Sequence, residues 1–204
     1  MTEQSKTYLP AHERVTDPPN MKLTRRDKEI VLAVYRYRLL SSQQIEALFF
    51  PSETDKKHSR RSACQRRLQL LFHHGFLDRI IQPLVMGEGR SPFVYAMDEN
   101  GANLVATTLG IDRADVQWKP KDNQLGPIFL DHTLAVNDVR VVFNKLVTNN
   151  QWEIADWVDD NTFKSAEMKE KVPYRIRGER IVRTFPDGYF QIAYQHEERH
   201  LHFF

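Results

Sequence analysis

The chain has 204 residues, 41% of them hydrophobic, with 29 Lys and Arg against 27 Asp and Glu for a formal net charge of +2. That is enough apolar material for one large or two small domains with a real core, and no apolar run is long enough for a signal-peptide core or a membrane span. The single cysteine, Cys64, excludes an internal disulfide and fits a reducing cytoplasm.

Near-neutral charge does not by itself point to nucleic acid, so its distribution matters more than its sum. Residues 1–119 carry 18 Lys and Arg against 14 Asp and Glu, whereas residues 120–204 carry 11 against 13. Basic character is concentrated in the first half.

Residues 1–21 are polar and run into Asp17-Pro18-Pro19-Asn20, a composition that reads as a flexible arm. Thr24 then precedes Ile30, Val31, Val34 and Tyr35 or Tyr37 at helical spacing, with Asp27 three residues after the cap. Ser41 or Ser42 caps a short second helix with Ile45, Leu48 and Phe49 on its apolar side, and Pro51 stops it. From His58 to His74 a third and longest helix carries Ala63, Leu68, Leu71 and Phe72 on one side, with Gly75 suited to its C-terminal end.

Phe76–Ile81 and Pro92–Ala96 read as two strands joined by a loop containing Gly87-Glu88-Gly89. Asp98 caps a fourth helix with Ala102, Leu104, Val105 and Leu109, ended by Gly110. Helix, helix, helix, hairpin, helix over residues 22–111 predicts a winged-helix domain. Residues 112–127, with Pro120, Gly126 and Pro127, lack periodicity and read as a linker. A second unit over residues 128–204 opens with a helix marked by Val139, Val142, Phe143, Leu146 and Val147, followed by strands at Trp152–Val158, Arg180–Phe185, Tyr189–Tyr194 and Leu201–Phe204. The expected class is α+β, and the last strand, with no turn or cap after it, is expected to continue in a longer parent protein.

A winged helix places its third helix in the major groove and its hairpin against the flanking backbone or minor groove. Lys56, Lys57, Arg60, Arg61, Arg66 and Arg67 put six cations around helix three with no acid between them. His58, Ser59, Arg60, Arg61, Ser62 and Gln65 occupy its N-terminal part, where side chains read base edges, since Arg can bond guanine and Gln adenine through two hydrogen bonds. Arg66 and Arg67 suit phosphate contacts, and Arg90 at the wing tip suits the flanking groove. The expected partner is double-stranded DNA. A protein-interaction module is the alternative, because a basic helix face can also simply be solvated.

Leu23-Thr24-Arg25-Arg26-Asp27, the helix from Arg60-Arg61 to Leu71, and Tyr95-Ala96-Met97-Asp98-Glu99-Asn100-Gly101 together resemble the bacterial replication-relaxation family. In the second half, His132-Thr133-Leu134-Ala135-Val136-Asn137-Asp138 resembles that family's His-x-Leu-x-x-Asn helix, and Phe185-Pro186-Asp187-Gly188-Tyr189-Phe190 its Pro-Asp-Gly strand. The resemblance implies a plasmid or mobile-element protein acting in replication, DNA topology or their regulation, with other replication or conjugation proteins as further partners. A homodimer would suit palindromic sites, although no dimer seam is visible.

A helix followed by strands, with Pro186-Asp187 at a strand start, is also similar to the core of PD-(D/E)xK nucleases, in which Asp187 would hold Mg²⁺. The second carboxylate and the Lys belong on the next strand, and Leu201–Phe204 has neither. A metal-dependent nickase or nuclease lacking its last catalytic strand is therefore the rival reading; otherwise Pro-Asp-Gly is a turn, no metal ligand is assigned and no cofactor is expected. His196-Glu197-Glu198-Arg199-His200 formally matches the H-E-x-x-H zinc motif, but its strand-like flanks predict a charged hairpin turn. His132 and Asn137 read as hydrogen-bonded structural residues, Asp131 and Asp138 as a weak polar cluster, Cys64 as a packing residue, and His73 and His74 as favourable helix-end charges.

Overall fold

The structure, a computed structural model, describes residues 9–50, 57–82, 91–149, 152–159, 174–177, 180–183, 188–194 and 197–203. It is an α+β chain with small antiparallel sheets, and it divides into two compact units, residues 1–137 and 138–204.

In the first unit the order is α1 (Arg25–Tyr37), β1 (Leu39–Ser41), α2 (Ser42–Phe49), α3 (Lys57–His73), β2 (Leu77–Ile80), β3 (Val94–Met97) and α4 (Glu99–Leu109). The helix starts follow from local chemistry. Thr24 and Asp27 form a reciprocal capping box on α1, and Ser41 and Gln44 do the same on α2, each pair satisfying backbone N–H groups that a helix start leaves open. The stops are glycines: Gly75 after α3 and Gly110 after α4 have φ of +68° and +67°, a conformation with no steric penalty for glycine.

β3 lies between β1 and β2, antiparallel to both, with Leu39 opposite Ala96 and Leu77 opposite Met97. Ile30, Val34, Leu40, Leu68, Leu71 and Val105 are fully buried between this small sheet and the helices. α4 approaches the turn after α3 so closely that a Cβ on Gly101 would stand 2.2 Å from the Phe76 carbonyl oxygen. Asn100 fastens the same junction, its side chain donating to the His74 carbonyl at 2.8 Å while its backbone N–H bonds Gly75 at 3.1 Å. The Asn100-Gly101 step is therefore the seam that joins α4 to the end of α3.

Two segments depart from the sequence expectation. The arm expected to be flexible is held wherever it is described. Arg14 donates to the carbonyls of Phe72 and Leu77 at 2.8 and 3.1 Å and pairs with Asp98 at 2.5 Å, Arg79 donates to Ala11, and Gln69 donates to Leu9. Arginine hydrogen bonds and stacking, not apolar burial, fix this segment, so hydrophobic composition gave no sign of it; Arg14 and Arg79 both lie over the Phe72 ring.

The expected linker is likewise part of the first unit. Val116 and Trp118 are buried, Trp118 Nε1 donates to Asn123, and Asn123 donates to Asp78 and to the Met97 carbonyl. Two anchors without periodicity, held by short 3-10 turns at 113–115 and 120–123, replace the free linker.

α5 (Pro127–Asn149) begins in the first unit, where Leu130 and Leu134 pack with Leu39 and Val94. Asn137 is buried and donates to the carbonyls of Tyr37 and Leu39 at 3.1 and 2.7 Å, and Gln44 donates to the Leu134 carbonyl at 3.0 Å. The Leu and Asn of the His132–Asn137 motif thus dock α5 onto the end of α1 and onto β1. The boundary between units falls within this helix and not at residues 112–127.

The second unit contains the end of α5, then β4 (Trp152–Asp159), β5 (Tyr174–Arg177), β6 (Arg180–Arg183), β7 (Gly188–Tyr194) and β8 (Glu197–Phe203). β7 lies between β4 and β8 in one antiparallel sheet, and β5 and β6 form a separate hairpin. Phe143 and Val147 of α5 pack with Phe190, Ile192 and Trp157, and the Trp157 ring stacks on Phe190 at 5.2 Å. Of the five apolar positions expected to face inward on α5, Val139, Val142 and Leu146 are instead exposed. Glu197–His200 of the H-E-x-x-H string lies on strand β8, so it does not form the helical turn that this motif requires, and His196 lies outside the described residues. Asp187 lies outside the described residues.

Candidate nucleic-acid interface

Helix α3 is oriented by what it buries. Cys64, Leu68, Leu71 and Phe72 form its inner stripe, the last three lying four, seven and eight residues after the first. Ala63, expected on that stripe, is exposed, and Cys64 takes the inner place with its thiol 4.0 Å from the Ser42 carbonyl. Burial, with the nearby Glu46 charge, pushes the Cys64 thiol up to about 12.

Rotating about the axis, the outward side presents His58, Ser59, Ser62, Gln65 and Arg66, and Arg61 is exposed at its edge. Two of these six are guanidinium groups and the other four can both donate and accept hydrogen bonds, a mixture able to bond base edges and phosphates together.

The four described arginines of the six cations have different surroundings. Arg67 reaches from α3 to Asp27 on α1, its Nε donating at 2.9 Å and one terminal nitrogen bonding the second carboxylate oxygen, and it also donates to the Lys22 carbonyl at 3.2 Å. Asp27 is fully buried. Burial alone would raise its pKa, but the hydrogen bonds from Arg67 and Thr24 outweigh that and hold the carboxyl below its ordinary range. Arg60 pairs with Glu46 of α2 at 3.1 Å. The acids missing from the α3 sequence are supplied by the neighbouring helices.

Arg61 and Arg66 differ from that pair, because neither makes an ion pair or side-chain hydrogen bond among the described residues. Lys56 and Arg90 lie outside the described residues, as does the side chain of Lys57. One further cation was not singled out from sequence: exposed Arg26 of α1 stacks over Phe50 at 4.7 Å and is near enough to act on the Cys64 thiol. Only the packing of α1 against α2 and α3 brings it beside this helix.

His73 also departs from its expected role. Its Nδ1 accepts the Val15 N–H at 3.3 Å, and burial together with Arg79 lowers its pKa, which favours the neutral ring at pH 7, so it anchors the arm instead of supplying a charge favourable to the helix dipole. His74 bonds the Pro19 carbonyl at 2.9 Å.

Among the described residues no group of His, Cys, Asp and Glu is arranged to hold a metal ion, and no helix is long and apolar enough to cross a membrane. No curated protein and no solved structure matches the chain. A family model described as replication-relaxation matches residues 32–204, a span that takes in α3, the Tyr95–Gly101 step, the Asn137 clamp and the whole second unit. On that match the chain belongs to the replication-relaxation family.

Proposed function

We propose that the first unit is a winged-helix module that binds double-stranded DNA through α3, and that the protein acts in the replication or relaxation of plasmid or mobile-element DNA. The element order α1-β1-α2-α3-β2-β3 and the strand order β1-β3-β2 support the winged-helix reading, with α3 in the place of the recognition helix and the β2–β3 connection in the place of the wing. Family membership supports the process.

The observation that carries the reading is the outward face of α3, where Arg61 and Arg66 stand exposed beside His58, Ser59, Ser62 and Gln65. Arg61 and Gln65 are assigned to base edges and Arg66 to phosphate, with Arg26 and the sequence-assigned Lys56, Lys57 and Arg90 as further phosphate contacts. Arg60 and Arg67 are assigned to holding α3 in place.

Mobility-shift assays with single alanine variants separate these roles. Arg61→Ala and Arg66→Ala weaken duplex binding about tenfold each and leave thermal stability unchanged, in line with about 1–3 kcal/mol for a lost specific contact. Full binding by an Arg61→Ala/Arg66→Ala double variant refutes the assignment.

A further inference from the structure

The second unit leaves part of α5 with an apolar outer side. Phe143 and Val147 enter the core with Phe190 and Ile192. On the outer side Val139, Val142 and Leu146 are 49%, 54% and 54% exposed. Their spacing of three and then four residues sets them on one stripe, in the a, d, a positions of a heptad. The water-facing side of a surface helix is ordinarily polar, and here three of its positions are branched aliphatic side chains.

The charges beside the stripe are ordered. Asp138 and Lys145 are exposed, lie on the same flank and stand seven residues apart, so opposite charges mark the two ends of the strip.

We propose that this strip is a self-association seam on which a second copy of this chain lays its own α5 antiparallel. In that register Val139 meets Val142 of the second copy, and two-fold symmetry sets Asp138 of each copy against Lys145 of the other. Parallel pairing would set each of these flank positions against the opposite flank of the second helix, so Asp138 would face Phe143 and find no cation. Charge complementarity therefore selects both the occupant and its direction. Three half-exposed aliphatic side chains fall far short of the ~800 Å² per partner of a stable interface, so the dimer is weak, in the micromolar range or above. The seam does not depend on DNA binding.

Sedimentation equilibrium of the whole chain under reducing conditions, up to about 0.5 mM, reads this directly. The expected weight-average mass rises with concentration from 24.0 kDa toward twice that value. Asp138→Lys and Lys145→Asp each weaken association about tenfold, because two reciprocal attractions become repulsions. The double reversal restores it, which neither a folding defect nor a different occupant would produce; circular dichroism checks that each variant is folded. A mass fixed at 24.0 kDa throughout overturns the proposal. So does association that the single reversals leave unchanged or that the double reversal fails to restore.

Discussion

Arg67→Ala tests the division of labour on α3 most sharply, because this residue looks like a phosphate contact in the sequence and serves as a strut in the structure. The substitution leaves the Asp27 carboxylate fully buried with only Thr24 as partner. Removing one member of a buried ion pair typically costs about 3–5 kcal/mol, and since the Arg67 side chain is 26% exposed the lower end applies, about 3 kcal/mol. At about 3–4 °C per kcal/mol for a unit of this size, the melting temperature falls by about 10 °C. Thermal and urea melts at neutral pH read the effect, with Arg66→Ala as the exposed control expected within about 0.5 kcal/mol of the parent. The pair also predicts a pH dependence. The Asp27 pKa is lowered in the folded chain from its ordinary 3.8, so its stabilisation is fully present above that value and is lost as pH falls through the folded pKa. Asp27→Asn removes this acid-side loss. An Arg67→Ala variant as stable as the parent but unable to bind duplex DNA would refute the reasoning and return Arg67 to the phosphates.

Two further outcomes follow from the packing of the first unit. Asn137→Ala strips two buried carbonyls, those of Tyr37 and Leu39, of a donor; a loss of about 2–3 kcal/mol in urea melts is expected, and a neutral effect would contradict the clamp. The Cys64 thiol, pushed up to about 12 and buried, should stay unreactive toward a thiol reagent at pH 8 in the native chain and react fully in denaturant; rapid native labelling would contradict its packing role.

What was legible in the sequence follows from locality. The capping pairs Thr24 with Asp27 and Ser41 with Gln44 span three residues, and Gly75 and Gly110 stop their helices at the positions their conformational freedom suggests. Both kinds of signal act within one turn. The partners of the α3 arginines do not: Arg60 meets Glu46 fourteen residues away and Arg67 meets Asp27 forty residues away, pairings that exist only once α1, α2 and α3 are packed. For the same reason six cations without acids in their own segment read as one basic face. The contacts of residues 9–21 and 112–127 leave no periodic signal, because Arg14, Trp118 and Asn123 act as single anchors. Along α5 the apolar period is real, but it is divided between a buried side, with Phe143 and Val147, and an outer side, with Val139, Val142 and Leu146. Periodicity reports that apolar residues share a face and not what covers that face. The strand Tyr174–Arg177 went unread because it alternates with arginines in a charged stretch.

Binding of duplex DNA by the outward polar face of α3 can be read by fluorescence anisotropy of the whole chain with random-sequence duplex across a salt series. The expected result is binding at low salt that weakens linearly in a log–log plot, with a slope reduced by about one when Arg66 is changed to alanine, and weaker binding to single strands of the same length. No duplex binding at low salt, or binding whose salt slope is the same in the parent and in the Arg61→Ala/Arg66→Ala variant, would contradict it.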